Sequence, residues 1–348
     1  MTEPKGRGAA WTEERGTRDE GRRHPEAPRR RAEDRAARLL RWYPKAWRSR
    51  YGEEFTELLI ADLGERPRSR SRTADVIRGG IVARLADAGL CGYAPEAAAQ
   101  VRASLASLVC CAAVFLGFGG AMWSQLTIGW QWSAPDPAGV VATTAMSAAM
   151  LVLVVLALLA AVPVAWTAAA RIARGRLQGL LGPSLLFLAG LTVMVVGSRH
   201  FGNGWPGTGG HPWTRLGPVP GGVAAFSWAS TLSVSSFWAH PAALAAFPAA
   251  ELTWMALSPL ALACLVTGAA ALVRRTELSP AALRFETRLA RAACLTMAVF
   301  LGAGCVWIAD RAPRPGSLFH PGVIDVAGLA VMALALATGW QAARQAAR

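Results

Sequence analysis

A chain of 348 residues in which 53% are hydrophobic and only 17% charged is too apolar for an ordinary two-domain soluble protein; it reads as an integral membrane protein. The net charge of +14 invites a nucleic-acid reading, but many basic residues sit in short turns between apolar runs, the positive-inside pattern, so no nucleic-acid partner is expected. The six cysteines (Cys91, Cys110, Cys111, Cys264, Cys294, Cys305) form no CxxC or Cys/His ligand spacing and read as small buried hydrophobes, so neither metal nor cofactor is expected.

Residues 1–34 consist largely of Arg, Glu, Gly and Pro, bury too little apolar surface to offset the entropy of folding, and are expected to form a disordered basic tail. The start, MTEPKGRGAAWTEERG, lacks the apolar core of a secretion signal, so the first membrane helix is expected to act as its own insertion signal. Residues 35–100 read as a small cytoplasmic helical module. Leu39, Leu40 and Tyr43 share a helical face, and Pro44 forces a break. Beyond it Trp47, Tyr51, Phe55, Leu58, Leu59 and Asp62 recur at spacings of three and four, with Glu53, Glu54 and Glu57 on other faces. A third helix is expected from about Arg72 to Leu90, with Val76, Ile77, Ile81, Val82 and Leu85 as its apolar stripe.

Residues 101–348 hold six apolar runs, about 105–126, 142–168, 178–198, 249–273, 289–309 and 321–341, each near the length that crosses a bilayer. The second is uncharged and is followed at once by Arg171, Arg174 and Arg176, which should stay in the cytoplasm. Arg274, Arg275, Arg284, Arg288 and Arg291 mark the cytoplasmic side again. Both termini are then cytoplasmic, in a multi-pass protein of the cell's inner (cytoplasmic) membrane. Residues 199–248 form an outer loop whose apolar second half, VAAFSWASTLSVSSFWAHPAALAAF, is read as an interfacial or re-entrant helix pair resting on the outer surface. The fold class is therefore all-α: a bundle of about six transmembrane helices preceded by the helical module.

The string LLRWYPKAWRSRYGEEFTELLIADL, followed by TADVIRGGIVARL, resembles the N-terminal segment of an uncharacterised family of integral membrane proteins from high-GC bacteria. A similar WYPxxWRxRYGEEF prefix occurs on some ABC-type permeases of the duplicated orphan class. The resemblance rests on Tyr43, Pro44, Trp47, Arg50, Tyr51, Gly52, Glu53, Glu54 and Phe55 and covers about residues 38–88. It implies a short cytoplasmic module ahead of membrane helices and no assigned activity. Unlike those permeases, this chain has no large extracytoplasmic domain.

Two groups of residues are candidates for function. His200, His211, His240, Glu251, His320 and Asp325 fall near the outer membrane edge, where imidazoles and carboxylates can bind a ligand or respond to external pH, although no metal-binding spacing is present. Trp47, Arg50, Tyr51, Glu53, Glu54 and Phe55 form a candidate docking face for a protein partner, to be weighed against a plain helical core with an acidic edge. With the lipid bilayer as the other partner and no catalytic motif, the expected role is that of a non-enzymatic accessory or sensory protein. The alternative is a permease-like transport component that relies on a separate ATPase, since the chain has no Walker A motif.

Overall fold

The structure, a computed structural model, describes residues 26–65, 70–91, 97–127, 137–175, 179–204, 226–227, 229–231, 249–311 and 323–347. It divides into two compact units, residues 1–85 and 86–348.

The first unit is built from α1 (Glu26–Leu40), α2 (Lys45–Glu65) and most of α3 (Arg70–Asp87). α1 begins inside the stretch expected to be a disordered tail, so residues 26–34 are helical; residues 1–25 lie outside the described residues. The reason is cooperative: Ala36, Leu39 and Leu40 are buried, and a helix nucleated there extends upstream through strong helix formers to Pro28, which the first turn tolerates. Pro44 separates α1 from α2 as expected, and its carbonyl accepts the first amide of α2, from Arg48. Ala36, Leu39 and Leu59 form the core, with Phe55, Ile60, Val76 and Ile77 packed against them. Arg35 Nη2 donates to Thr73 Oγ1 (2.9 Å) and ties α1 to α3. Arg84 donates to the carbonyls of Trp42 (2.6 Å) and Arg41 (2.8 Å), which fixes the α1–α2 turn on the same helix. That approach needs Gly80, where a Cβ would lie 2.6 Å from the Trp42 Cβ.

The second unit contains α4 (Ala97–Thr127), α5 (Pro137–Ala173), α6 (Leu181–Gly204), α7 (Ala249–Arg275), α8 (Pro280–Arg311) and α9 (Val323–Ala346). All six are long and apolar enough to cross a membrane. The pairing is nested: α4 packs on α9, α5 on α8 and α6 on α7, and α4 also touches α5, α7 and α8. Burial follows that role. Half of the most apolar window of α4 is buried, against 17% of that of α5, whose outward residues are Leu and Val suited to lipid.

Hydrogen bonds gather alternate helix termini at one end. Ser104 and Ser107 of α4 donate to the carbonyls of Gly89 and Ala88. Arg274 of α7 holds Asp87 through its carboxylate and its carbonyl, and Gln341 of α9 donates to the Leu90 carbonyl. Arg171 of α5 reaches the Arg275 carbonyl and Glu277, while Arg275 donates to the Gly179 carbonyl just before α6. Residues 276–279 turn α7 into α8 at the same level, with Ser279 capping α8 by accepting from the Ala282 amide. Six helices therefore alternate in direction, and Arg171, Arg174, Arg274, Arg275, Arg284, Arg288 and Arg344 collect at one end.

Within the bundle, the closest helix approach is between α6 and α7. A Cβ on Gly190 would lie 2.6 Å from the Ala261 carbonyl, and one on Gly268 would lie 2.6 Å from the Phe187 amide, so only glycine permits this backbone contact. Pro259 deprives the Met255 carbonyl of its usual amide partner, and the Ser258 hydroxyl donates to that carbonyl instead (2.9 Å). Phe115, Phe300, Trp307 and the methionines Met122, Met146, Met297 and Met332 form the central core of α4, α5, α8 and α9.

Five residues from the apolar half of the outer loop, expected as an interfacial or re-entrant helix pair, are among the described residues. Phe226 and Ala229 are buried in a cluster with Met255 and Ala261, against Val193, Met194 and Trp123. Ser227 and Thr231 lie against Gly120 and Gly117 of α4. Gly117 is ten residues from the end of α4, roughly 15 Å at the helical rise. This short helical piece packs among α4, α6 and α7, where small residues on both sides let the backbones close. α6 itself runs on to Gly204, and the remainder of the predicted loop lies outside the described residues.

Candidate functional site

The most developed site lies on α2. Trp47, Tyr51, Phe55 and Leu58 recur at helical spacing and so project from one side of the helix. Tyr43, from the preceding turn, is buried and lays its ring on Trp47 at 4.1 Å between centroids, with Phe55 at 5.3 Å. Trp47 meets Phe55 edge-on at 5.3 Å and Tyr51 at 5.5 Å. Such pairs contribute about 0.5–1.5 kcal/mol each beyond the area they bury, enough to hold the rings in one arrangement. Burial pushes the Tyr43 phenol above its ordinary pKa, so the ring stays neutral at physiological pH.

The ladder forms the wall of a groove of about 420 Å³ lined by Trp47, Tyr51, Glu54, Phe55 and Leu58. Arg50 covers the outer face of Tyr51, its guanidinium carbon 5.2 Å from the ring centre. Glu53 and Glu57 are exposed beside the groove without lining it. Four of the six residues of the predicted docking face (Trp47, Tyr51, Glu54, Phe55) therefore line one concave surface, and Arg50 borders it. Leu58 was missed because the sequence pattern set it beside Leu59 in one buried stripe. Adjacent helical residues diverge by about 100°, and here Leu59 enters the core while Leu58 stays exposed.

The outer His and carboxylate group is met only in part. His200 is in α6 and Glu251 in the first turn of α7, both at the end opposite the arginine cluster; Asp325 is buried in the first turn of α9. His211, His240 and His320 lie outside the described residues. Among the described residues no three His, Cys, Asp or Glu side chains are placed to hold a metal ion, and the cysteines are free thiols.

One ionisable residue escaped the sequence reading. Glu286 of α8 is only 7% exposed, and its Oε1 finds no hydrogen-bond partner among the described residues, whereas Arg284, Arg288 and Arg291 on the same helix face outward. Its position in phase with the apolar residues Leu283 and Ala290 was the signal available.

The α2 groove presents an aromatic and aliphatic surface with a carboxylate at the edge, a composition suited to recognition. Comparison with known proteins yields no matching family model, curated protein or solved structure.

Proposed function

We propose that this polytopic membrane protein is a non-enzymatic accessory or sensory component of the cytoplasmic membrane, with both termini inside, and that it acts by docking a protein partner on the groove of α2. The observation that carries the reading is the exposure of Tyr51 and Leu58 around a preformed aromatic groove. Large apolar side chains clustered about a concavity and edged by a carboxylate are what a partner's anchor residue needs. The arginine-rich end of the bundle supports a cytoplasmic location for the module through the positive-inside rule. The WYPxxWRxRYGEEF resemblance agrees with it.

A mild-detergent purification from native membranes tests this, comparing the intact chain with a Tyr51→Ala, Leu58→Asp variant. A protein retained by the intact chain and lost from the variant supports the docking role; the same set of proteins in both samples overturns it.

The packing of residues 226–227 and 229–231 among the spans and the proline inside α7 favour a second reading, a permease-like component that uses a separate ATPase. An ATPase as the retained partner would select that reading over the sensory one.

A further inference from the structure

We infer that one outward stripe of α8 is the binding site of an anionic phospholipid, whose headgroup is held by arginines and whose acyl chain lies along the apolar remainder of the stripe. The stripe belongs wholly to the membrane bundle, and the inference does not depend on what the α2 groove binds.

Arg284, Arg288 and Arg291 are spaced i, i+4 and i+7, so they stand on one face of α8. Leu295, Val299 and Val306 continue that face toward the other end of the helix. At 3.6 residues per turn, the six fall within a sector of about 80°. All six are exposed, so the helix turns a basic segment and then an apolar track, in one line, away from the protein.

Three observations select an anionic phospholipid as the occupant. First, these arginines are not used by the protein. At the same end Arg171, Arg274 and Arg275 hold the carbonyls and carboxylates of neighbouring helix ends, and Arg344 lies over the Trp340 ring. Arg284, Arg288 and Arg291 take no such partner among the described residues, and the nearby carboxylate of the helix, Glu286, is buried on its opposite face. The stripe is therefore positive with no acid to offset it, the complement of a phosphate. Second, Arg291 stands eleven residues beyond Pro280, about 16 Å along a helix apolar enough to cross the membrane. An arginine at that depth on a lipid-facing side reaches back to the headgroup layer, where phosphate is the anion at hand. Third, a Cβ on Gly302 would meet nothing within 4 Å, unlike Gly190 and Gly268, whose glycines are required by backbone contact. No protein neighbour asks for this glycine, which weakens a helix relative to alanine and here opens a notch in the stripe between Val299 and Val306. The notch lies about 16 Å from Arg291, close to half the hydrocarbon thickness of about 30 Å, the reach of an acyl chain whose phosphate sits at the arginines.

The test takes the full chain in mild detergent, strips its lipid, and titrates it with phosphatidylglycerol or with phosphatidylcholine of the same acyl chains, counting bound lipids by native mass spectrometry. The expected result is one phosphatidylglycerol retained at concentrations at which phosphatidylcholine is not. Replacing all three arginines (Arg284→Gln, Arg288→Gln, Arg291→Gln) should weaken that binding about a hundredfold at low salt, each basic contact with an anionic surface being worth about 1 kcal/mol. Arg291→Gln alone should weaken it about fivefold and keeps the test valid where the triple variant does not insert. Arg174→Gln, at the same end but off the stripe, should change nothing. Gly302→Leu should weaken binding of the long-chain lipid about fourfold, one displaced methylene being worth about 0.8 kcal/mol, and leave dihexanoyl-phosphatidylglycerol unaffected. Four outcomes overturn the proposal. They are equal retention of the two lipids, unchanged binding in both arginine variants, equal losses from Arg174→Gln and Arg291→Gln, and displacement of the lipid by glycerol phosphate at a comparable concentration. The third would make the effect one of general surface charge, and the last would assign the arginines to a soluble phosphate.

Discussion

Leu58 in the N-terminal module and Leu151 in α5 are equally exposed, at 67% and 66% of their surface, and yet they pose opposite problems. Leu151 belongs to a helix whose large exposed residues are mostly Leu and Val, and a bilayer covers them at no cost. Leu58 stands on a helix with Glu53, Glu54 and Glu57, in a unit whose described residues include no helix long and apolar enough to cross a membrane, so no lipid belt of this kind accounts for its exposure. On the proposed reading, the same fractional exposure means satisfaction in one region and a docking surface in the other. Solvent, not area, decides.

That contrast can be broken by matched substitutions. Leu151→Asp should cost about 3 kcal/mol, the price of a carboxylate in the middle of a span, and appear as failed insertion in a membrane-integration assay. Next in size is Gly190→Leu, which would drive a side chain into the backbone of α7. Overpacking there should cost about 1–3 kcal/mol and lower the thermal midpoint in detergent while the module is unaffected. Gly80→Val makes the corresponding insult in the module, against Trp42, and should destabilise it by about the same amount while the bundle melts normally. Ser104→Ala removes the hydroxyl that donates to Gly89 and should cost about 1 kcal/mol, seen as faster amide exchange around residues 88–90. Smallest is Leu58→Asp, expected to shift stability by less than about 0.5 kcal/mol while abolishing partner retention. A large stability loss there would mean that Leu58 is a core residue and that the contrast with Leu151 is false.

What could be read from residues alone follows the same line. The six spans and the Pro44 break were legible because length, hydropathy and the missing proline amide are local properties. The helical start of α1 at Glu26 was not, since its arginine-rich first turns are held by a core that begins ten residues later, at Ala36. Trp47, Tyr51, Glu54 and Phe55 were legible as a set from their spacing, but which of Leu58 and Leu59 turns inward depends on α1, packed across from them. Nor does hydropathy tell that Gly190 meets the α7 backbone or that Ser227 meets Gly120, because a glycine's partner is chosen by a distant segment. Glu286 was passed over because arginines lie two residues to either side of it, whereas its helical neighbours Leu283 and Ala290 are buried.

The most direct measurement is photo-cross-linking in native membranes with a benzophenone side chain at position 58 and, in a second sample, at position 151. The account predicts a discrete protein adduct at 58 that competes away with excess untagged chain, and only lipid adducts at 151. Lipid adducts at 58, or no adduct there with position 151 labelled normally, would contradict the claim that the α2 groove is where this protein meets a partner.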